Sequence, residues 1–124
     1  AFAGQLAGLG PGLTPAGDDW LAGWLVGLRA AAAMNGDPSA LDVQAVGRTV
    51  VSSARSRTSR LSLAFLQAAA DGAVAQPWHD LLAALADADP TPLRHAAAEI
   101  MRHGATSGSD MLAGFLAAPF LAFP

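Results

Sequence analysis

Two segments of this chain spell nearly the same unit, and that repetition limits the folds open to it more than any other feature. Residues 12–25 read GLTPAGDDWLAGWL, and residues 104–116 read GATSGSDMLAGFL. With one gap after Ser107, Gly12, Thr14, Gly17 and Asp19 fall on Gly104, Thr106, Gly108 and Asp110. Leu21, Ala22, Gly23 and Leu25 then fall on Leu112, Ala113, Gly114 and Leu116. Each copy is a polar, glycine-rich loop running into an apolar helix. Bringing two such helix starts together is a way to build one binding or catalytic site from two loops.

The 124 residues are 52% hydrophobic and 14% charged. That length buries roughly two-thirds of the extended surface, enough for one core without staples. A thin polar coat of this kind suits a well-filled domain or one with a face buried against a partner. The net charge of −3 and pI near 5.3 argue against a general nucleic-acid or anionic-membrane binder. Cys, Lys and Tyr are absent, and all seven basic residues are Arg. Disulfides, thiolate nucleophiles, Schiff bases and a phosphate-binding Lys are therefore excluded. No basic segment followed by a short apolar run marks a signal peptide, and the apolar stretch 111–124 is too short to span a bilayer. The chain reads as a cytoplasmic, single helical domain over residues 1–124, the C-terminal part of a longer protein.

Abundant Ala and the lack of an alternating apolar pattern predict an all-α fold of about six helices in a compact bundle. Residues 1–9 read as the tail of a helix. A helix follows over 18–34, stopped at Asn35-Gly36. Asp37-Pro38-Ser39 opens the next, over 40–54, with Leu41, Val43, Val46, Val50 and Val51 inward. Further helices are expected from Arg60 to Asp71 (stopped by Gly72), from Gln76 to Asp87, and up to His103-Gly104. Thr91 is the expected N-cap of the last of these, with Pro92 at its first position. The second repeat loop and a final helix complete the chain.

Four constellations carry chemistry. Gly12 and Gly17 have P-loop spacing, but Asp18 stands where that motif needs Lys, so a Walker loop is rejected. What remains is a helix N-terminus whose N–H groups favour an anion, with Asp18 and Asp19 in its first turn. In the second loop, Ser107 and Asp110 have the spacing of a capping box. In SARSRTSRLS, residues 53–62, Arg55, Arg57 and Arg60 offer forked donors ahead of Ser62. The fourth is His95, Glu99 and His103 on one helix face. Its two His residues stand about 12 Å apart along the axis, too far to share an ion, so a solvated face is expected.

The strings GLGPGLTPAGDDWLAG, TSRLS and GATSGSDMLAG, at residues 8–23, 58–62 and 104–114, together resemble a bacterial domain-of-unknown-function family. That family includes the oxamate carbamoyltransferase subunit of anaerobic allantoin catabolism. The resemblance implies a carbamoyl-transfer system interconverting carbamoyl-oxamate plus phosphate with oxamate plus carbamoyl phosphate, working with other subunits. Ala105 stands where relatives often have His, so no acid–base role is carried to that position.

The expected site gathers both repeat loops and the Arg-rich loop around one anion. Asp19, Asp110 and Arg60 are the expected catalytic residues. Gly12, Thr14, Gly17, Asp18, Arg57, Ser62, Thr106, Ser107 and Gly108 are the expected substrate-binding set. Asp19 and Asp110 either orient a substrate amide or hold a divalent cation such as Mg²⁺. The alternatives are a non-catalytic helical assembly module, whose loops are only caps, and a small-molecule sensor without turnover.

Overall fold

The computed structural model describes residues 2–10, 14–35 and 42–118. Gly12, the expected stop at Gly36 and the expected helix start at 37–41 lie outside the described residues. Among the described residues the chain is all-helical, with seven helices. These are α1 (Phe2–Leu6), α2 (Ala16–Asn35), α3 (Val43–Ala54), α4 (Arg60–Ala70), α5 (Gln76–Asp87), α6 (Pro90–Met101) and α7 (Ser107–Leu116).

Local chemistry explains the boundaries. Asp42 caps α3 by accepting the Ala45 N–H at 3.0 Å, and Ser59 caps α4 through the Ser62 N–H at 3.1 Å. The α4 helix stops in a Schellman turn. There Gly72 takes φ +82°, and the Ala73 N–H reaches back to Ala68 O at 2.8 Å. At the start of α6 the structure corrects the expected cap by two residues. Asp89, not Thr91, is the N-cap, its carboxylate accepting the Thr91 N–H, and Pro90 rather than Pro92 opens the helix. A carboxylate is a strong N-cap acceptor, and a proline at the first position sacrifices no hydrogen bond.

Helix α2 is the hub, packing against α7, α4, α3 and α1. Leu21, Leu25 and Leu28, at i, i+4 and i+7, point one fully buried stripe into the core. Each contributes roughly 1.5–3 kcal/mol by burial. Val50 and Val51 of α3, Leu66 of α4, Trp78 and Leu81 of α5, Ile100 of α6 and Phe115 of α7 complete the core. Trp78 and Phe115 meet edge to face, with centroids 5.4 Å apart.

The most extensive contact joins α2 to α7, the helices of the two repeats. A Cβ on Gly23 would overlap the carbonyl oxygen of Met111, and one on Gly114 would overlap that of Trp20. Trp20 and Met111 hold the same place in the two copies, as do Gly23 and Gly114. The two contacts are therefore one contact made twice, across a local two-fold axis. Further along, a Cβ on Gly27 would strike that of Ala118. From Thr14–Ser107 at one end to Gly27–Ala118 at the other, residue numbers rise together, so α2 and α7 run parallel and begin at the same end.

The duplication reaches back into the preceding helices. The Leu9 N–H donates to Leu6 O and the His103 N–H to Ile100 O, both at 3.1 Å. Gly17 N–H then donates to Leu9 O, and Gly108 N–H to His103 O. A Cβ on Gly17 would overlap Leu6 O, and one on Gly108 would overlap Ile100 O. The repeated unit is thus helix–loop–helix, α1–α2 and α6–α7.

Because the obstructing atoms at Gly23 and Gly114 are backbone, no rotamer change relieves them. Gly23→Ala or Gly114→Ala is expected to destabilise the fold by about 3 kcal/mol. Urea denaturation measures this. A gain of a few tenths, as for glycine at an exposed helix position, would contradict the packing described.

Candidate functional site

The parallel pair brings the two repeat loops together. Thr14, from the first loop, and Ser107, at the first position of α7, share a hydroxyl–hydroxyl hydrogen bond of 3.1 Å. Thr14 Oγ1 also donates to Asp19 Oδ2 at 3.1 Å. Ser107 hydrogen-bonds the same carboxylate. Thr14 has thus committed its only hydrogen, and Ser107 directs its own to Thr14 or Asp19. The three side chains form a closed cluster whose remaining outward capacity is lone pairs.

Burial pushes the Asp19 carboxyl above its ordinary value. The hydroxyls of Ser107 and Thr14 oppose that shift, and the nearby Asp110 and Asp18 add to it. Asp110 lies in the first turn of α7, in the place Asp19 holds in α2. Its Oδ2 is buried and has no hydrogen-bond partner among the described residues. Thr106 is the N-cap of α7 but makes no side-chain cap, and the Asp110 N–H bonds the Thr106 carbonyl at 2.9 Å. The expected Ser107–Asp110 capping box is therefore not formed, because Ser107 sits one residue inside the helix and turns to Thr14.

Asp18 does different work. Its side chain is 2% exposed and accepts hydrogen bonds from the Gly8 N–H at 2.8 Å, the Thr58 hydroxyl and the Ser62 hydroxyl. It ties the first repeat loop to the start of α4 and consumes the Ser62 hydroxyl. Arg57 is exposed, and its guanidinium lies along α1 near Gly4. Arg60 is the first residue of α4 and also exposed. The Arg-rich loop is thus joined to the first repeat loop through Thr58 and Ser62, while its arginines stand apart from Thr14 and Ser107. The Gly17 N–H, expected to be free for an anion, already serves the Leu9 carbonyl at 2.9 Å.

Thr14, Asp19, Ser107 and Gly108 line one cavity of about 610 Å³. Its other walls are Ala22, the C-terminal half of α4, the α4–α5 link, Trp78 and the end of α6. Arg60, Arg57, Asp18, Ser62, Thr106 and Asp110 are not among its lining residues. Arg102 and His103 reach it from the end of α6, with Glu99 beside them. Arg102 pairs with Glu99 at 2.6 Å on the surface. Glu99 and His103 belong, with His95, to the helix face expected to be solvated, and all three are exposed, as is Arg102. The available signal was the position of Arg102 and His103 directly before the second repeat loop.

A family model described as "Oxamate carbamoyltransferase subunit AllH" matches residues 6–119. The chain belongs to that family. Membership ties it to a carbamoyltransferase as one of the enzyme's subunits. No curated protein and no solved structure matches the chain. The AllH match covers both repeat loops, α2, α6 and α7, and every residue that lines the cavity. Among the described residues no group of three or more His, Cys, Asp and Glu gathers as a metal centre, and no helix is long and apolar enough to cross a membrane.

Two outcomes are expected. Asp18→Ala would strand two hydroxyls and a backbone N–H in the interior, costing about 3 kcal/mol in urea denaturation. Asp19 has the opposite signature. A raised folded-state pKa means the folded protein holds this proton more tightly than the unfolded chain. Its stabilising contribution is present at low pH and is lost as pH rises from the ordinary value of 3.8 through the raised one. Asp19→Asn should therefore raise Tm at pH 7, with the gain shrinking as pH falls toward 4. A gain that grows on acidification would contradict this environment for Asp19.

Proposed function

We propose that this subunit binds a small carbamoyl-bearing or oxamate-like ligand at the Thr14–Asp19–Ser107 end of the cavity, as part of an oxamate carbamoyltransferase. The observation that carries the proposal is the Thr14–Ser107 hydrogen bond. It holds the polar groups of both repeat loops beside one carboxylate on one cavity wall. Family membership supports the ligand class.

The roles follow from charge and hydrogen count. The lone pairs of Asp19, Thr14 and Ser107 suit the NH₂ of a carbamoyl or oxamate amide. A phosphate or carboxylate set directly against Asp19 would be repelled. The anionic end of the ligand therefore turns toward Arg102, His103 and the N-terminal dipole of α7 at Gly108. Asp110, beside Asp19, keeps that carboxylate's charge costly and so favours a donor-rich ligand over an empty site. Thr106, Arg57 and Arg60 take no part in this arrangement. The Asp19 carboxylate and the two hydroxyls are also oxygen donors of the kind Mg²⁺ takes, and in this reading a cation enters with the substrate. Other subunits of the enzyme supply the second substrate and share the chemistry.

Isothermal titration of the protein with oxamate and with carbamoyl phosphate tests this reading. Thr14→Val and Asp19→Asn are expected to weaken binding about tenfold or more, the value of one or two hydrogen bonds involving a charged group. Arg60→Ala is expected to leave it unchanged. If Arg60→Ala abolishes binding and Thr14→Val does not, the site lies at the Arg-rich loop and the proposal is wrong.

A further inference from the structure

The cavity is larger and more apolar than oxamate or carbamoyl phosphate requires. At about 610 Å³ it falls in the range of about 300–1,000 Å³ that accepts drug-sized ligands. A ligand confined to the Thr14–Asp19–Ser107 end leaves most of it unfilled. Beyond that end the walls are Ala68 and Ala69 of α4, Ala73 and Val74 of the α4–α5 link, Trp78 of α5 and Met111 of α7. The three alanines carry nothing beyond Cβ, so they leave the space in front of them open. Phe65 also lines the cavity yet is 58% exposed, an aromatic ring left uncovered by the fold itself. A polar end that accepts hydrogen bonds, an apolar wall of small side chains and an uncovered ring describe one kind of occupant.

We infer that the cavity takes a primary carboxamide or urea bearing a flat apolar ring. The inference rests on the assignment of the polar end as a carbamoyl site and extends it. The two hydrogens of the ligand NH₂ go to Asp19 and to a lone pair of Thr14 or Ser107. The ring lies over Ala69 and Ala73, against Val74 and Met111, and covers Phe65. Offset stacking on Phe65 adds to the area removed from water. The apolar part of the cavity thereby selects among amides by what is attached to the carbonyl carbon, which the polar end cannot do.

Ligand-detected NMR titration of the protein with acetamide, oxamate and benzamide separates the possibilities. Benzamide is expected to bind about ten- to a hundredfold more tightly than acetamide, the value of burying a phenyl ring. Ala73→Trp fills the apolar end from an exposed position on the link. It should remove that advantage and leave acetamide affinity unchanged. Phe65→Ala, also at an exposed position, is a second test that does not depend on Ala73→Trp folding, and it should reduce the advantage severalfold. Asp19→Asn should weaken both amides. If acetamide or oxamate binds and benzamide binds no better, the inference fails while the carbamoyl site stands. It fails equally if the benzamide advantage survives both apolar variants. If none of the three probes binds, the carbamoyl site itself is wrong and the inference falls with it.

Discussion

Everything at the site depends on how closely α2 and α7 approach. Two glycines, Gly23 and Gly114, let each helix set its backbone against a carbonyl of the other. The pair runs parallel, which is electrostatically awkward. Two helix N-termini, each with roughly half a positive charge, are set side by side. The acidic residues of the first turns answer that problem: Asp18 and Asp19 on α2, Asp110 on α7. They complement both dipoles at once. The same arrangement buries Asp19, which raises its pKa, and sets it near Asp110, whose charge adds to that shift. The repeat thus solves a packing problem and creates a polar centre in one step.

That polar centre is asymmetric although the backbone beneath it is nearly two-fold. Asp19 is held by two hydroxyls, whereas the equivalent Asp110 leaves Oδ2 unpartnered among the described residues. Asp18 is buried, whereas the equivalent Ser109 is exposed. The first copy has become the structural anchor, fastened to α4 through Thr58 and Ser62. Both copies, with α6, line the cavity, the first through Thr14 and Asp19 and the second through Ser107 and Gly108.

Much of the fold was legible in the sequence, because Pro and Gly punctuate it strongly. The limits of α5 at Gln76 and Asp87 and the stop at Gly72 follow directly from residue chemistry. The cap of α6 was misplaced because Asp89 and Thr91 both precede a proline, and only backbone geometry decides between them. The meeting of the two loops was legible from the repeat, since a matched Gly–Thr–Gly–Asp order exceeds what helix capping needs. The parallel direction of the pair was not, because Gly23 and Gly114 signal close approach without direction. Arg57 and Arg60 drew attention as strong anion ligands, but local sequence cannot show which way an exposed arginine points. Asp18 and Asp19 are neighbours in sequence, yet a helix turns them about 100° apart, one into the interior and one toward the cavity.

The central claim is that the two repeat loops make one ligand site and that its polar core is Thr14, Asp19 and Ser107. Amide chemical-shift mapping of the isotopically labelled protein during titration with oxamate tests it most directly. The account predicts that the largest perturbations cluster at Thr14, Asp19, Ser107 and Gly108, with smaller ones at Arg102 and His103. Perturbations centred on Arg57 to Arg60, with those residues silent, would contradict it.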